Sequence, residues 1–110
     1  MRETLARCLT GVDWLRSEIG DAQLVLAEIA TNAFTHDRAP EFSALVTCSA
    51  RQLEMTTFHA GRVEPPKAPV MPGPAAAIGG QGLAIVDRLV AERLVSSRAG
   101  TTSTYVRMAR

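Results

Sequence analysis

The chain has 110 residues, 46% of them hydrophobic, and a formal net charge of +1 at pH 7. This length fits a single domain, residues 1–110, that buries its own core without metal or disulfide staples. The twelve Lys and Arg residues are scattered and aromatic residues make up only 5% of the chain, which argues against nucleic acid as a direct partner. No apolar run reaches the roughly 20 residues of a membrane span and no signal-peptide pattern opens the chain, so no membrane partner is expected.

The two cysteines, Cys8 and Cys48, lie in apolar stretches. They show neither a C-x-x-C spacing nor the cluster of further ligands that a zinc site needs. We therefore expect buried free thiols rather than a disulfide. Free thiols favour a reducing environment, so the predicted location is cytoplasmic.

The first third of the chain predicts two helices. Apolar residues recur at helical spacing within residues 2–15, at Leu5, Cys8, Leu9 and Val12. Gly20 and Asp21 give a break followed by an acidic residue, which favours a helix N-terminus. The second helix is therefore expected to run from about Asp21 to His36.

The second predicted helix carries a narrow polar stripe. Glu28, Asn32 and His36 stand at i, i+4 and i+8, so they share one face of an otherwise apolar helix. Such a stripe is typical of a pocket wall, where a carboxylate serves as a base and an amide oxygen as a metal ligand. The alternative is a buried helix with a snorkelling Glu and a capping Asn-His tail, and this segment alone leaves both open.

The middle of the chain predicts a β-hairpin and then a long loop. Residues Phe42–Ser49 and Leu53–Phe58 are rich in β-compatible residues and are joined by a polar connection. From Gly61 to Gly80 repeated prolines exclude regular helix and central strand, so we expect a loop at about residues 62–78. Loops of this length in compact domains are often lids or binding loops.

A glycine-rich segment, residues 79–82, opens the last predicted helix, which ends near Glu92. Its buried stripe is predicted at Leu83, Val86, Leu89 and Val90. Glycines at a helix start let backbone N–H groups approach a phosphate, and the helix dipole adds positive potential there. A plain flexible connection uses the same residues, so both interpretations stay open.

The end of the chain predicts a second hairpin, formed by Leu94–Ser97 and Thr102–Met108, with a turn at Arg98-Ala99-Gly100. The element order is then α-α-β-β-loop-α-β-β. Strands in hairpins and helices in separate runs predict an α+β fold, a two-layer sandwich with helices on one face of a mostly antiparallel sheet.

The chain resembles the Bergerat-fold ATPases in four features that follow one another in the same order. They are the polar stripe from Glu28 to His36, the strand end at residues 59–61, the proline-rich loop and residues 79–87 (GGQGLAIVD). Gyrase, sensor kinases and some chaperones share that superfamily. Within it, the short chain and its sequence motifs ATNAFTH and GGQGLAIVD are most similar to the anti-sigma-factor serine kinases of bacteria. The resemblance implies the histidine kinase-like ATPase fold. That family has a strand before its first helix, whereas this chain begins in a helical pattern; either that strand lies outside these 110 residues, or another chain covers the exposed sheet edge.

The resemblance also implies a nucleotide site with ATP and Mg²⁺ as cofactors. Asn32 matches the metal-ligating position. Glu28 matches the general base, which draws the proton from a serine hydroxyl of the protein substrate as it attacks the γ-phosphate. The implied activity is that of a protein serine kinase.

The remaining implied site residues surround the nucleotide. Gly80, Gly82 and Leu83 match the phosphate-facing turn, and Gly61 matches the small residue beside the adenine. Thr102 lies near the polar residue that closes the adenine end, although an ordinary strand threonine would look the same.

His59 departs from the family pattern, which has Asp two residues before the glycine at the adenine site. A carboxylate accepts a hydrogen bond from the exocyclic amine of adenine. A neutral His accepts through one ring nitrogen only, and a protonated His through none. The departure therefore opposes ATP binding and kinase activity.

The resulting functional hypothesis is a regulatory protein that binds a sigma factor or an anti-sigma-factor antagonist, with ATP- and Mg²⁺-dependent serine kinase activity as an additional function. The resemblance implies a homodimer. Two alternatives belong to other classes: a degenerate, nucleotide-free protein-interaction module of the same fold, and a small-molecule sensor that reuses the pocket.

Overall fold

The computed structural model describes residues 1–35, 38–39, 41–60 and 74–110, with residues 74–81 described by their backbone alone. Three helices and four strands lie in these ranges: α1 (Arg2–Thr10), α2 (Arg16–Thr35), β1 (Phe42–Cys48), β2 (Gln52–Ala60), α3 (Pro74–Leu89), β3 (Glu92–Arg98) and β4 (Thr101–Ala109). None of these helices is long and apolar enough to cross a bilayer.

The four strands form one antiparallel sheet in the order β1-β2-β4-β3. Both predicted hairpins are confirmed, because β1 pairs with β2 and β3 pairs with β4. The predicted α+β fold of helices on an antiparallel sheet is confirmed as well. No strand precedes α1 within the described part of the chain.

The helix-facing side of β2 and β4 has two chemically different halves. Leu53, Met55, Val106 and Met108 form an apolar half, which packs with α1 and α2 into the core. Thr57, His59, Thr102 and Thr104 form a polar half that is also buried. The register joins them in cross-strand pairs, with Met55 opposite Val106 and His59 opposite Thr102. The core therefore occupies one end of the sheet and the polar side chains the other.

The break between α1 and α2 lies at residues 11–15, so the predicted break at Gly20 is wrong. Gly20 lies inside α2, which begins at Arg16. The chain turns at Asp13, whose φ of 64° is left-handed. The Glu18 carboxylate then caps α2 by accepting a hydrogen bond of 2.8 Å from the Leu15 N–H. Arg110 also binds Glu18, and these two contacts hold the pKa of that carboxyl below its usual range.

Helix α3 begins at Pro74, earlier than the proline-rich pattern predicted. Proline suits the first position of a helix, where its missing N–H costs nothing, so the exclusion of helix was wrong for residues 74–78. Residues 61–73, which hold the rest of the predicted lid loop, lie outside the described residues.

The glycine-rich segment lies inside α3 rather than at its start, and α3 ends at Leu89 instead of Glu92. The buried side of α3 also differs from the predicted stripe. Gly82 and Val86 are buried, whereas Leu83 is 36% exposed. The predicted stripe is confirmed at Val86, Leu89 and Val90, which are buried or pack against the core. It is wrong at Leu83, because the prediction counted apolar side chains and the buried residue at this turn of the helix is a glycine.

Cys8 and Cys48 form a disulfide bond, so the prediction of free thiols is wrong. Helix α1 packs against β1, which brings the two Cα atoms to 6.4 Å. The sequence separation of 40 residues gave no sign of this proximity. The argument from free thiols to a reducing compartment therefore no longer holds.

The turn between β3 and β4 consists of Ala99 and Gly100, with φ values of 53° and 78°. Two left-handed residues are the geometry of a two-residue hairpin turn that matches the strand twist. Gly adopts this geometry because it has no Cβ, and Asn because its short polar side chain hydrogen-bonds locally, whereas Ala has neither advantage and is strained there.

We therefore expect Ala99→Asn to raise the free energy of unfolding by about 0.5–1 kcal/mol, because Asn tolerates the left-handed region. Urea denaturation followed by circular dichroism measures the change. Ala50→Asn, at an exposed turn position whose φ is not left-handed, is the matched control and should give no gain. Equal effects of both substitutions would contradict the strain at Ala99.

Candidate functional site

Helices α2 and α3 bring Glu28 and Gly82 together. The Glu28 carboxylate lies so close to the Gly82 backbone that a Cβ built on Gly82 would stand 2.6 Å from Glu28 Oε2 and 3.6 Å from its Cδ. Glu28 is half-buried and Gly82 is buried. The sequence predicted that this carboxylate faces a cavity bounded by a glycine turn; the structure places it directly against a glycine inside helix α3.

Asn32 stands one turn after Glu28 on α2 and is also half-buried. Ile29 and Ala33, the residues that follow Glu28 and Asn32 on the same helix, are buried. The pocket wall stays a prediction. His36, the third member of the predicted stripe, lies outside the described residues, as does Gly61.

A second polar group lies at the end of β2 and the beginning of β4. His59 and Thr102 are opposite each other across the two strands, and both are buried. Thr102 Oγ1 lies 2.9 Å from Ser97 Oγ of β3. The sequence predicted His59 and Thr102 as site residues, and the strand register makes them direct neighbours.

Sequence reasoning missed three hydroxyl side chains around this pair. They are Ser97, which reaches Thr102, and Thr57 and Thr104, which are buried on the same sheet face. Thr57 Oγ1 donates a hydrogen bond of 3.4 Å to the Thr104 carbonyl. The signal was present in the alternation of Thr102 and Thr104 along β4, since alternate strand residues share a face.

A cleft of about 540 Å³ lies beside His59 at this end of the sheet. Two aromatic rings line it together with polar side chains; its lining residues are Glu41, Phe42, Ser43, Phe58, His59, Ala60 and Thr101. Aromatic walls with a few polar groups are typical of small-molecule sites.

The other predicted nucleotide residues belong to α3. The backbone of Gly80 is helical, and the side chain of Leu83 is partly exposed next to Gly82. The first turn of a helix offers free N–H groups to a phosphate, and Gly80 lies beyond that turn. The predicted phosphate turn at this glycine is therefore absent from the described backbone.

The described residues contain no cluster of three or more His, Cys, Asp or Glu that could hold a metal ion. Mg²⁺ does not require one, because it commonly binds one or two protein oxygens together with substrate phosphates and water. The Asn32 amide supplies an oxygen donor of this kind. The residues present therefore fit Mg²⁺ bound together with a nucleotide.

The sequence pattern of the histidine kinase-like ATPase domain matches the chain over residues 1–110. The chain belongs to the histidine kinase-like ATPase family. Membership of this family indicates an ATP-binding regulatory role and the use of ATP and Mg²⁺ in general. No curated protein matches the chain.

Solved structures agree with this family at the level of the fold. The histidine kinase domain of a blue-light activated histidine kinase from Erythrobacter litoralis is 22% identical with a TM-score of 0.53, over 84% of this chain and 44% of that one. A longer structure of the same kinase is 24% identical with a TM-score of 0.53, over 84% of this chain and 30% of that one. This chain thus spans less than half of each kinase structure.

Proposed function

We propose that this chain is an anti-sigma-factor-like regulatory protein, which binds a sigma factor or an anti-sigma-factor antagonist and phosphorylates a serine of its protein partner. Membership of the histidine kinase-like ATPase family supports the use of ATP. One arrangement supports the kinase activity: the half-buried Glu28 carboxylate lies against Gly82 of α3, one helical turn before Asn32.

Glu28 and Asn32 of α2 each have one task in this proposal. When bound, ATP would supply the γ-phosphoryl group and Mg²⁺ would offset part of its negative charge. The Asn32 amide oxygen would hold the metal ion. Glu28 accepts the proton of the serine hydroxyl while the serine oxygen bonds to the γ-phosphorus, the bond to the β-phosphate oxygen breaks and ADP leaves.

His59 sets the expected affinity for ATP. A carboxylate at this position would accept a hydrogen bond from the adenine amine, and a neutral His accepts through one nitrogen only. An unpaired amine in a closed pocket costs about 1–3 kcal/mol, or about ten- to hundredfold in affinity. We therefore expect weaker ATP binding than in a pocket with Asp at residue 59.

The partners and location are part of the same proposal. The protein partner is a sigma factor or its antagonist, and the chain acts as a homodimer. A cytoplasmic location follows from these partners, since sigma factors and ATP are found there. Purified sigma factors and antagonist proteins, mixed with the chain and analysed by gel filtration, test the partner directly; failure of every candidate to coelute contradicts it.

Titration calorimetry with Mg²⁺ and ATP tests the nucleotide site. We expect one ATP per chain for the wild type and a loss of affinity of about tenfold or more for Asn32→Ala, because the metal loses a protein ligand. Thr31→Ala is the matched control, since Thr31 is the exposed neighbour of Asn32 on the same helix, and it should bind as the wild type does.

Two results would contradict these assignments. Unchanged binding by Asn32→Ala excludes Asn32 as the metal ligand. The absence of heat with ATP or ADP at millimolar concentration excludes the nucleotide-dependent function altogether.

The second candidate function is a nucleotide-free interaction module of the same fold. The helical backbone at residues 79–82 favours it, because a continuous helix presents no free N–H groups to a phosphate at that point. The calorimetric titration separates the two candidates, since the module binds its protein partner without nucleotide.

A further inference from the structure

Gly82 has no conformational reason to be glycine. It lies in the interior of α3, and the positive φ that demands glycine occurs at Gly100 among the described glycines. Any residue adopts the helical conformation of Gly82. Glycine weakens a helix interior relative to alanine, so its presence here has another cause.

The end of the Glu28 side chain occupies the space beside Gly82. A Cβ at this position would stand 2.6 Å from Glu28 Oε2, so the carboxylate, which is the far end of a flexible side chain, would have to move aside. Other glycines of the helical part of the chain differ. A Cβ at Gly20 meets nothing within 4 Å, and a Cβ at Gly11 meets Cys8 O at an ordinary 3.4 Å. Gly82 alone among these three stands against a side chain.

The Glu28 carboxylate is held by packing. Within the described part of the chain no hydrogen bond or ion pair reaches it. Its rotamer therefore depends on the surfaces that surround it, of which the Gly82 backbone is the nearest shown. Burial of Gly82 and Val86 against α2 fixes that surface.

We infer that Gly82 is a positioning residue for the Glu28 carboxylate. The missing side chain lets α3 lie directly against the carboxylate and so determines where the carboxylate oxygens stand. The geometric part of this inference is independent of any activity. Its effect on phosphoryl transfer rests on the proposed function.

Thermal unfolding of four variants tests the geometry. Gly20→Ala should raise the unfolding midpoint by about 3–6 °C, because alanine favours the helix and nothing obstructs its methyl group. Gly82→Ala should raise it less than Gly20→Ala does, because its methyl group displaces the carboxylate from its place against α3. In a Glu28→Ala background the carboxylate is absent, so Gly82→Ala should raise the midpoint as Gly20→Ala does.

The position of the carboxylate has its own readout. The side-chain carboxyl ¹³C resonance of Glu28 should move in Gly82→Ala and stay unchanged in Gly20→Ala, since only the first substitution displaces the oxygens. A merely structural glycine would leave this resonance in place. If the wild type transfers phosphate, Gly82→Ala should lower kcat and leave KM for ATP nearly unchanged.

Two outcomes would overturn the inference: an equal rise of the unfolding midpoint for Gly82→Ala with and without Glu28, or a Glu28 resonance that is identical in Gly82→Ala and the wild type. A wild type that transfers no phosphate contradicts the proposed function instead, and the unfolding and resonance comparisons remain decisive for Gly82.

Discussion

Glu28→Gln is expected to bind Mg²⁺ and ATP as the wild type does and to transfer phosphate to a partner serine about 10²–10⁴-fold more slowly. Glutamine has nearly the same shape, so it keeps the contact with α3 at Gly82. It cannot accept the serine proton as a carboxylate does, because its amide is a far weaker base. Calorimetry measures the binding, and transfer of radiolabelled phosphate from ATP measures the rate.

Glu3→Gln is the matched control, because Glu3 is an exposed glutamate in the first turn of α1. It should transfer phosphate at the wild-type rate. If Glu28→Gln keeps a wild-type rate as well, Glu28 is not the general base. Loss of nucleotide binding in Glu28→Gln would instead show that the carboxylate serves the ligand rather than the proton transfer.

Loss of the Cys8–Cys48 bond is expected to lower the free energy of unfolding by about 4 kcal/mol. The bond closes a loop with a sequence separation of 40 residues, and opening it returns that conformational freedom to the unfolded chain. The variant Cys48→Ser measures the effect by urea denaturation under oxidising conditions. Addition of dithiothreitol to the wild type should produce a similar loss.

The double variant Cys8→Ser, Cys48→Ser serves as the control for the reductant. Its stability should not change when dithiothreitol is added, because no thiol remains in the chain. If the wild type is equally insensitive to the reductant, the bond contributes nothing measurable to folding.

The sequence predicted the order of the elements because its patterns are local. Alternation in Leu53–Phe58 and in Thr102–Met108 predicted strands, and both are strands. The errors occurred at residues whose conformation depends on tertiary contacts. Gly20 is helical because Glu18 caps α2 before it, and the disulfide depends on α1 crossing β1, which no local pattern records.

The candidate site was predicted in part for the same reason. Glu28 and Asn32 could be assigned to one face because helical spacing determines it, and Glu28 lies against Gly82 of α3; the pocket wall itself stays a prediction. The phosphate turn was misplaced, since glycines do not reveal whether they open a helix or lie inside one. The sequence analysis missed Ser97 because its contact with Thr102 depends on the register of β3 against β4. A turn of three residues was predicted between these strands, and the two-residue turn in the structure sets this register.

The helix-facing side of β2 and β4 is divided into an apolar and a polar half, and this division determines which substitutions affect the core. Met55 and Val106 anchor folding at one end, whereas His59 and Thr102 stand at the opposite end of the same two strands. Under the proposed function, replacements at the polar end would alter ligand recognition, whereas the packing of the apolar end would stay as it is. Recognition and stability would then depend on different ends of the same two strands.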